Sequence, residues 1–206
     1  MKPYFKPIFL KPIVFFICLV PLIFGIWDGF TDQLGANPIE EITHRTGDWT
    51  LRLLLITLAA TPARRLLGWS WPLRVRRMLG LYTFFYASLH FLTYFVLDQF
   101  FDWDEIFKDI IKRPYITIGF SAFILLVPLA VTSTNKMMRR LGKRWGQLHQ
   151  LVYVIGVFGI LHYLWLVKAD YLQPLIHAAI LLALLLIRAW YQRQALPSRR
   201  AVSQIS

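Results

Sequence analysis

The sequence predicts an all-α integral membrane protein, a bundle of six transmembrane helices, on three observations. Apolar residues make up 57% of the 206-residue chain, with a mean hydropathy of +0.50. Several charge-free runs reach the ~20 residues that cross a bilayer hydrocarbon core; the run from Trp145 to Val167 has 23. The charges between the runs alternate in sign from one connection to the next. A single cysteine, Cys18, lies in an apolar run, so the chain has no intrachain disulfide. It also lacks the cysteines for a C-x-x-C-H haem attachment or a four-cysteine iron–sulfur cluster.

The first helix is expected over about 8–27, with Lys11 near its start and Pro21 inside. A basic start followed by an apolar run is also the form of a signal peptide. No small-x-small site closely follows Trp27, so the segment is read as a retained helix. The connection 28–48 holds Asp28, Asp32, Glu40, Glu41 and Asp48 against Arg45. A second helix is expected over about 47–63, carrying Arg52 one turn in and ending at Thr61-Pro62. The basic connection 64–77 follows, then a third helix over 78–97 with His90 past its midpoint. The connection 98–113 is acidic, and a fourth helix spans about 114–134. After Lys136, Arg139, Arg140, Lys143 and Arg144 comes the fifth helix, 145–167, with His149 near its start and His162 near its end. The sixth covers about 171–187, where Pro174 in the first turn costs no hydrogen bond. Residues 1–190 form one domain in this reading, and 191–206 a disordered cytoplasmic tail.

Six helices place both termini on one side, and the charges identify it. The N-terminus, connections 64–77 and 135–144, and the tail hold most of the lysines and arginines, whereas every aspartate and glutamate falls on the other face. Positive charge marks the cytoplasmic side. The formal charge of +12 is therefore a topology signal rather than a nucleic-acid patch, and both termini are expected on the cytoplasmic side.

Ionisable residues inside a span are costly and mark function, and imidazole is a common metal ligand. On this topology His90 and His162 lie at similar outer depth on two different helices. Two facing imidazoles there are expected to clamp one haem iron from opposite sides, which is electron-transfer coordination. Without covalent attachment the haem is b-type. Gly156 and Gly159 on the fifth helix, and Ala87 and Ser88 on the third, are small enough to let a flat macrocycle approach. The competing reading is a pair of hydrogen-bonded interhelical histidines.

His149 is 13 residues from His162, roughly 20 Å along an ideal helix and about 140° around it. It has three open readings: ligand to a second, inner haem, lining of a quinone or flavin site, or anchor at the interface. His177 reads as a packing residue and His44 as solvated. Arg52 has the depth to meet a haem propionate, or simply snorkels. Arg77, within the cluster Arg74–Arg77, is a topology determinant and a candidate for a flavin phosphate, quinone or cytoplasmic donor. Tryptophans and tyrosines near helix ends form an interfacial belt.

The blocks RTGDWTLRLLLITLAATPARR, RRMLGLYTFFYASLHFLTY, KRPYITIGF, LAVTSTN and RRLGKRWGQLHQLVY, with HYLW following, resemble the MsrQ (YedZ) family. These are haem-binding membrane subunits of bacterial periplasmic methionine sulfoxide reductase systems. The likeness covers roughly residues 44–168 and extends more loosely to six-helix ferric reductase and NADPH oxidase membrane domains. It implies a b-type cytochrome that takes electrons from the quinone pool, or by way of a flavin, and passes them to the soluble molybdopterin partner MsrP. Methionine sulfoxide reduction then belongs to that partner. By position the family's haem histidines fall on His90, His149 and His162. The family is also described as using FMN, although this chain has no phosphate-cradling glycine-rich loop. The larger oxidases carry two histidines on each of two helices, whereas this chain has one on the third.

Two other functions are open to such a sequence. A ferric reductase or oxidase needs a flavin and nicotinamide domain, and the 19 residues after Ile187 leave that to a separate cytoplasmic flavin reductase. A small proton-coupled transporter predicts inverted repeats and broken helices at mid-membrane, and the sequence shows no repeat.

Overall fold

A computed structural model describes the backbone of residues 9–203 and the side chains of 9–194. The first residue of the expected first helix, together with Lys2 and Lys6, lies outside them, as do residues 204–206 of the tail. The described chain is helical: α1 Leu10–Phe30, α2 Pro38–Leu67, α3 Trp71–Leu92 with a π-helical extension Thr93–Asp98, α4 Trp103–Lys112, α5 Pro114–Val131, α6 Asn135–Leu141, α7 Lys143–Leu148, α8 Leu151–Leu166 and α9 Leu172–Ser203. Five segments among the described residues are long and apolar enough to cross a membrane: Leu10–Phe30, Trp71–Asp98, Pro114–Val131, Lys143–Leu166 and Leu172–Gln194.

The helix expected over 47–63 is instead a 30-residue element, and its ends follow local chemistry. The Asn37 side chain accepts from the Glu40 amide, Pro38 opens the first turn, and Gly68 closes the last at φ 70°. Glu40 and Glu41 at the start and Arg64 and Arg65 at the end complement the helix dipole. Its charges keep α2 out of the apolar set, but it does not need to face lipid. Leu51, Leu53, Leu54 and Leu55 are all buried, so their consecutive positions bury the helix on several sides. α2 packs against α1, α3, α8 and α9, as the axis of the bundle.

Four further boundaries differ from the sequence reading. The basic connection 64–77 shrinks to Gly68–Ser70, because Pro72 near the start of α3 lets the helix begin at Trp71. The acidic connection contains α4, which Asp102 caps by accepting from the Glu105 amide. The fifth helix is interrupted at His149–Gln150; Gly142, at φ 52°, and Gly146 lower helix propensity in the turns before the break. The backbone of α9 runs helically past Ile187 to Ser203, through Gln, Ala and Arg positions with good helix propensity.

α1 is fastened at its proline. Pro21 has no N–H and disturbs the hydrogen-bond ladder. The Tyr86 hydroxyl enters there, donating to the Cys18 carbonyl at 2.8 Å and accepting from the Leu22 amide at 3.2 Å. One turn earlier on α3, Tyr82 donates to the Phe15 carbonyl at 3.0 Å. With Leu53, Val75 and Leu79 these residues form one core cluster, while a second joins α2, α3, α5, α8 and α9 around Leu54, Leu55, Leu126, Ile155 and Leu181.

Candidate metal centre

His90 on α3 and His162 on α8 meet at one end of the bundle. Their ring centroids are 6.0 Å apart, with planes crossed at 84°. Each ring is fixed through one nitrogen by a neighbouring helix. His90 donates from Nδ1 to the Thr43 carbonyl of α2 at 2.9 Å, and His162 from Nδ1 to the Tyr115 carbonyl of α5 at 2.7 Å. A carbonyl can only accept, so both Nδ1 atoms carry the proton. Both Nε2 atoms are thereby left with a lone pair.

The two seats share a design. Four residues beyond each carbonyl stands a glycine under the same imidazole. A Cβ on Gly47 would lie 3.1 Å from His90 Cε1, and one on Gly119 would lie 2.6 Å from His162 Nδ1. Carbonyl at i and glycine at i+4 fall on one helix face, so the helix supplies both the acceptor and the space. α3 leans on α2 and α8 on α5, and these are the two most extensive helix pairings in the molecule. A π turn, a feature frequent at functional sites, begins at Thr93 just beyond His90.

These residues fit an iron porphyrin. Two imidazoles that each held an iron through Nε2 at about 2 Å would have ring centroids roughly 6 Å apart, and the two centroids here are 6.0 Å apart. Among the described residues no group of three His, Cys, Asp or Glu side chains converges. His90 and His162 would be the residues that hold the group, and a haem there would supply single-electron chemistry.

His149 sits at the opposite end, in the break between α7 and α8. Its ring stacks on Trp145 at 3.9 Å, and Nδ1 donates to the Trp145 carbonyl at 3.0 Å. Nε2 is buried without a partner among the described residues, as is Nε of Arg188 on α9. Both side chains line a cavity of about 260 Å³ with Arg76, Arg77 and Tyr153. The Arg188 guanidinium lies 4.7 Å over the Tyr153 ring, and Arg77 donates to Asn135 at 2.6 Å.

The remaining candidates fall elsewhere. Arg52 pairs with Asp48 at 3.2 Å and lies over Trp49, lining a groove between α1 and α2. The structure does not show it on the histidine pair. His177 is buried against its own helix, donating to the Gln173 carbonyl at 2.7 Å, and His44 is exposed beside Glu40. The glycines expected to admit a macrocycle serve packing instead: Gly156 faces Leu181 and Leu58, and Gly159 faces Leu51. Sequence reasoning passed over Gly47, Gly119 and Arg188. The two glycines were legible in RTGDW and YITIGF only to a reader who already knew which helix each histidine leans on.

A helical bundle with several segments long and apolar enough to cross a membrane defines the class, and the family comparison gives the same one. The family described as "Ferric reductase like transmembrane component" matches residues 46–160, which include Gly47, His90, Gly119 and His149 and stop two residues short of His162. A protein of Herminiimonas arsenicoxydans named "Protein-methionine-sulfoxide reductase heme-binding subunit MsrQ" is 57% identical over 192 residues, 89% of this chain and 87% of that protein. Proteins of the same name from Rhodospirillum rubrum and Xanthomonas euvesicatoria are 58% and 53% identical, covering 85% and 88% of this chain and 85% and 82% of theirs. No solved structure matches the chain at a significant level. The chain belongs to the MsrQ family, a multi-pass membrane protein of the ferric-reductase-like class.

Proposed function

We propose that this chain is a six-span b-type cytochrome subunit that carries electrons across the inner membrane, with one haem held by Nε2 of His90 and Nε2 of His162. The observation that carries this reading is the shared seat of the two imidazoles. Each proton is pinned on Nδ1 by a backbone carbonyl, an arrangement that fixes tautomer and ring orientation in metal sites. The relatives' printed names, which call them haem-binding subunits, support the same group. A haem so held accepts and releases single electrons. This chain's residues orient it, tune it through the carbonyls and exclude water from it.

α2 completes the six spans, as a central helix in which Arg45 pairs with Asp28 and Glu41 and Arg52 with Asp48. Both termini are cytoplasmic by the distribution of basic residues. The donor side is the inner cavity at His149, Arg77 and Arg188, where the quinone pool or a flavin donor delivers electrons. FMN enters on family resemblance, with Arg77 as the candidate for its phosphate. The acceptor is a periplasmic molybdopterin methionine sulfoxide reductase, MsrP, which performs the catalytic reduction and so supports repair of oxidised proteins. Arg52, at outer depth, is the candidate for a propionate once Asp48 releases it.

The test is a dithionite-reduced minus oxidised spectrum of the purified protein, with haem counted per polypeptide. Sharp low-spin b-type bands at about one haem per chain are expected. His90→Ala and His162→Ala are each expected to lose that haem while the protein still inserts. Full retention in either variant overturns the pairing, and a second haem per chain would assign His149 as an inner ligand.

A further inference from the structure

We propose that α4 is a membrane-surface helix whose outward apolar face lies in the headgroup boundary of the outer leaflet. The inference is independent of the haem assignment. At about 100° per residue, the helix Trp103–Lys112 divides into three faces. Ile106 and Asp109 are buried against the bundle. Asp104, Glu105, Lys108 and Lys112 are exposed on the polar face. Trp103, Phe107 and Ile111, at i, i+4 and i+8, are 59%, 60% and 82% exposed. A surface helix of a water-soluble protein turns its apolar arc to the core. Here the bundle covers only one edge of that arc and leaves the large side chains outside.

The identity of the covering phase follows from continuity. α4 connects two candidate spans, Trp71–Asp98 and Pro114–Val131, which run in opposite directions, so both of its ends are held at the same membrane surface. The preceding span presents Leu92 and Leu97 outward, and its Phe95 ring lies 5.1 Å from both Phe101 and Trp103. Through these rings the apolar surface of the span continues onto α4, past the exposed Asp98 and Asp102 of the connection. Phe100 and Phe101, both exposed, take positive φ values of 47° and 63°, a backbone that bulky residues rarely adopt. Tryptophan and phenylalanine opposite a charged face are the side chains that settle at a lipid interface. The occupant is the bilayer rather than a protein.

This placement would bear on the outer site. Arg113, directly after α4, pairs back to the buried Asp109 at 3.0 Å, and the Tyr115 carbonyl that holds His162 follows two residues later. The lipid surface would thus set the height of α4, and α4 the start of the helix on which His162 leans.

The experiment uses the full chain in phospholipid nanodiscs. Single cysteines are placed by Trp103→Cys, Phe107→Cys and Ile111→Cys, and on the polar face by Asp104→Cys, Lys108→Cys and Lys112→Cys. Each is spin-labelled, with the unsubstituted chain as the control for labelling of buried Cys18. Collision with oxygen, which partitions into lipid, is compared with collision with a water-soluble nickel chelate. The expected result is a ratio favouring oxygen at 103, 107 and 111 and reversed at 104, 108 and 112. Equal nickel access on both faces would overturn the proposal by placing the helix in water. Exclusion of both reagents from 103, 107 and 111 would overturn it by showing a protein cover.

Discussion

Gly119 and His162 compete for one volume: a β-carbon on Gly119 would stand 2.6 Å from Nδ1 and 2.9 Å from Cε1 of the imidazole. No β-carbon tolerates such distances, so Gly119→Ala must push the ring off the Tyr115 carbonyl or part α5 from α8. Overpacking of this kind costs about 1–3 kcal/mol, and the ring is the most readily displaced element. Gly119→Ala is expected to lower haem content sharply and to shift the midpoint potential of what remains. Gly47→Ala, with its closest approach at 3.1 Å, is expected to shift the potential with most of the haem retained. Haem per polypeptide and redox titration of both variants check the order. An unchanged Gly119→Ala protein would show that His162 is not held as described.

The Tyr86 hydroxyl replaces a rung that Pro21 disturbs in α1. Tyr86→Phe leaves the Leu22 amide and the Cys18 carbonyl without it in a buried setting, a loss of about 1–3 kcal/mol. The thermal midpoint is expected to fall with the haem spectrum unchanged, since the hydroxyl is bonded to α1 and not to either histidine or its carbonyl. Tyr82→Phe removes a single bond to a carbonyl and is expected to cost less.

Matched depth of His90 and His162 was legible from charge asymmetry alone, because alternating loops fix the direction of every span. What leaned on the histidines was not. Thr43 and Tyr115 act through backbone carbonyls, which carry no side-chain signature. Gly47 and Gly119 look like any other helical glycine until the neighbouring ring is placed. α2 runs beyond 47–63 at both ends, through Pro62 and into charged turns, because a central helix answers to its neighbours rather than to lipid. α4 was hidden for a related reason. Its charged residues Asp104, Glu105, Lys108, Asp109 and Lys112 are interleaved with the apolar ones along the chain, and its apolar face shows only once the residues are wound at helical pitch.

Asp109 is the pin that holds α4 to the bundle. Its side chain is 5% exposed and accepts from Arg113 Nε at 3.0 Å, and from the Tyr94 hydroxyl and Gln99 amide at 3.4 Å each. Arg113 is half exposed, so solvent screens that pair. Most of the loss in Asp109→Ala therefore comes from the Tyr94 hydroxyl, which loses its acceptor while Gln99 keeps Asp98 at 3.3 Å, about 1–3 kcal/mol. Amide hydrogen exchange is expected to accelerate through Trp103–Lys112 well before the rest of the bundle opens. Unchanged exchange there would show that the lipid face alone seats the helix.

The inner cavity makes a prediction in which stability and function part company. Nε2 of His149 is a buried polar atom without a partner among the described residues, while the rest of the ring is well packed against Trp145. A buried unpaired donor or acceptor is a standing cost, and replacing it by an apolar group of similar shape is neutral or stabilising. His149→Phe keeps an aromatic ring on Trp145 and removes the unpaired atom, but it also gives up the Nδ1 bond to the Trp145 carbonyl, which keeps the His149 backbone amide at 3.0 Å, so the thermal midpoint of the ligand-free protein is expected to hold. If the atom is kept for a donor that binds beside Arg188, reduction by a quinol or reduced flavin should slow, while dithionite still reduces the outer haem fully. The two measurements together separate the roles. A variant that loses stability places His149 among the packing residues, and one with unimpaired donor kinetics moves the electron entry site away from this cavity.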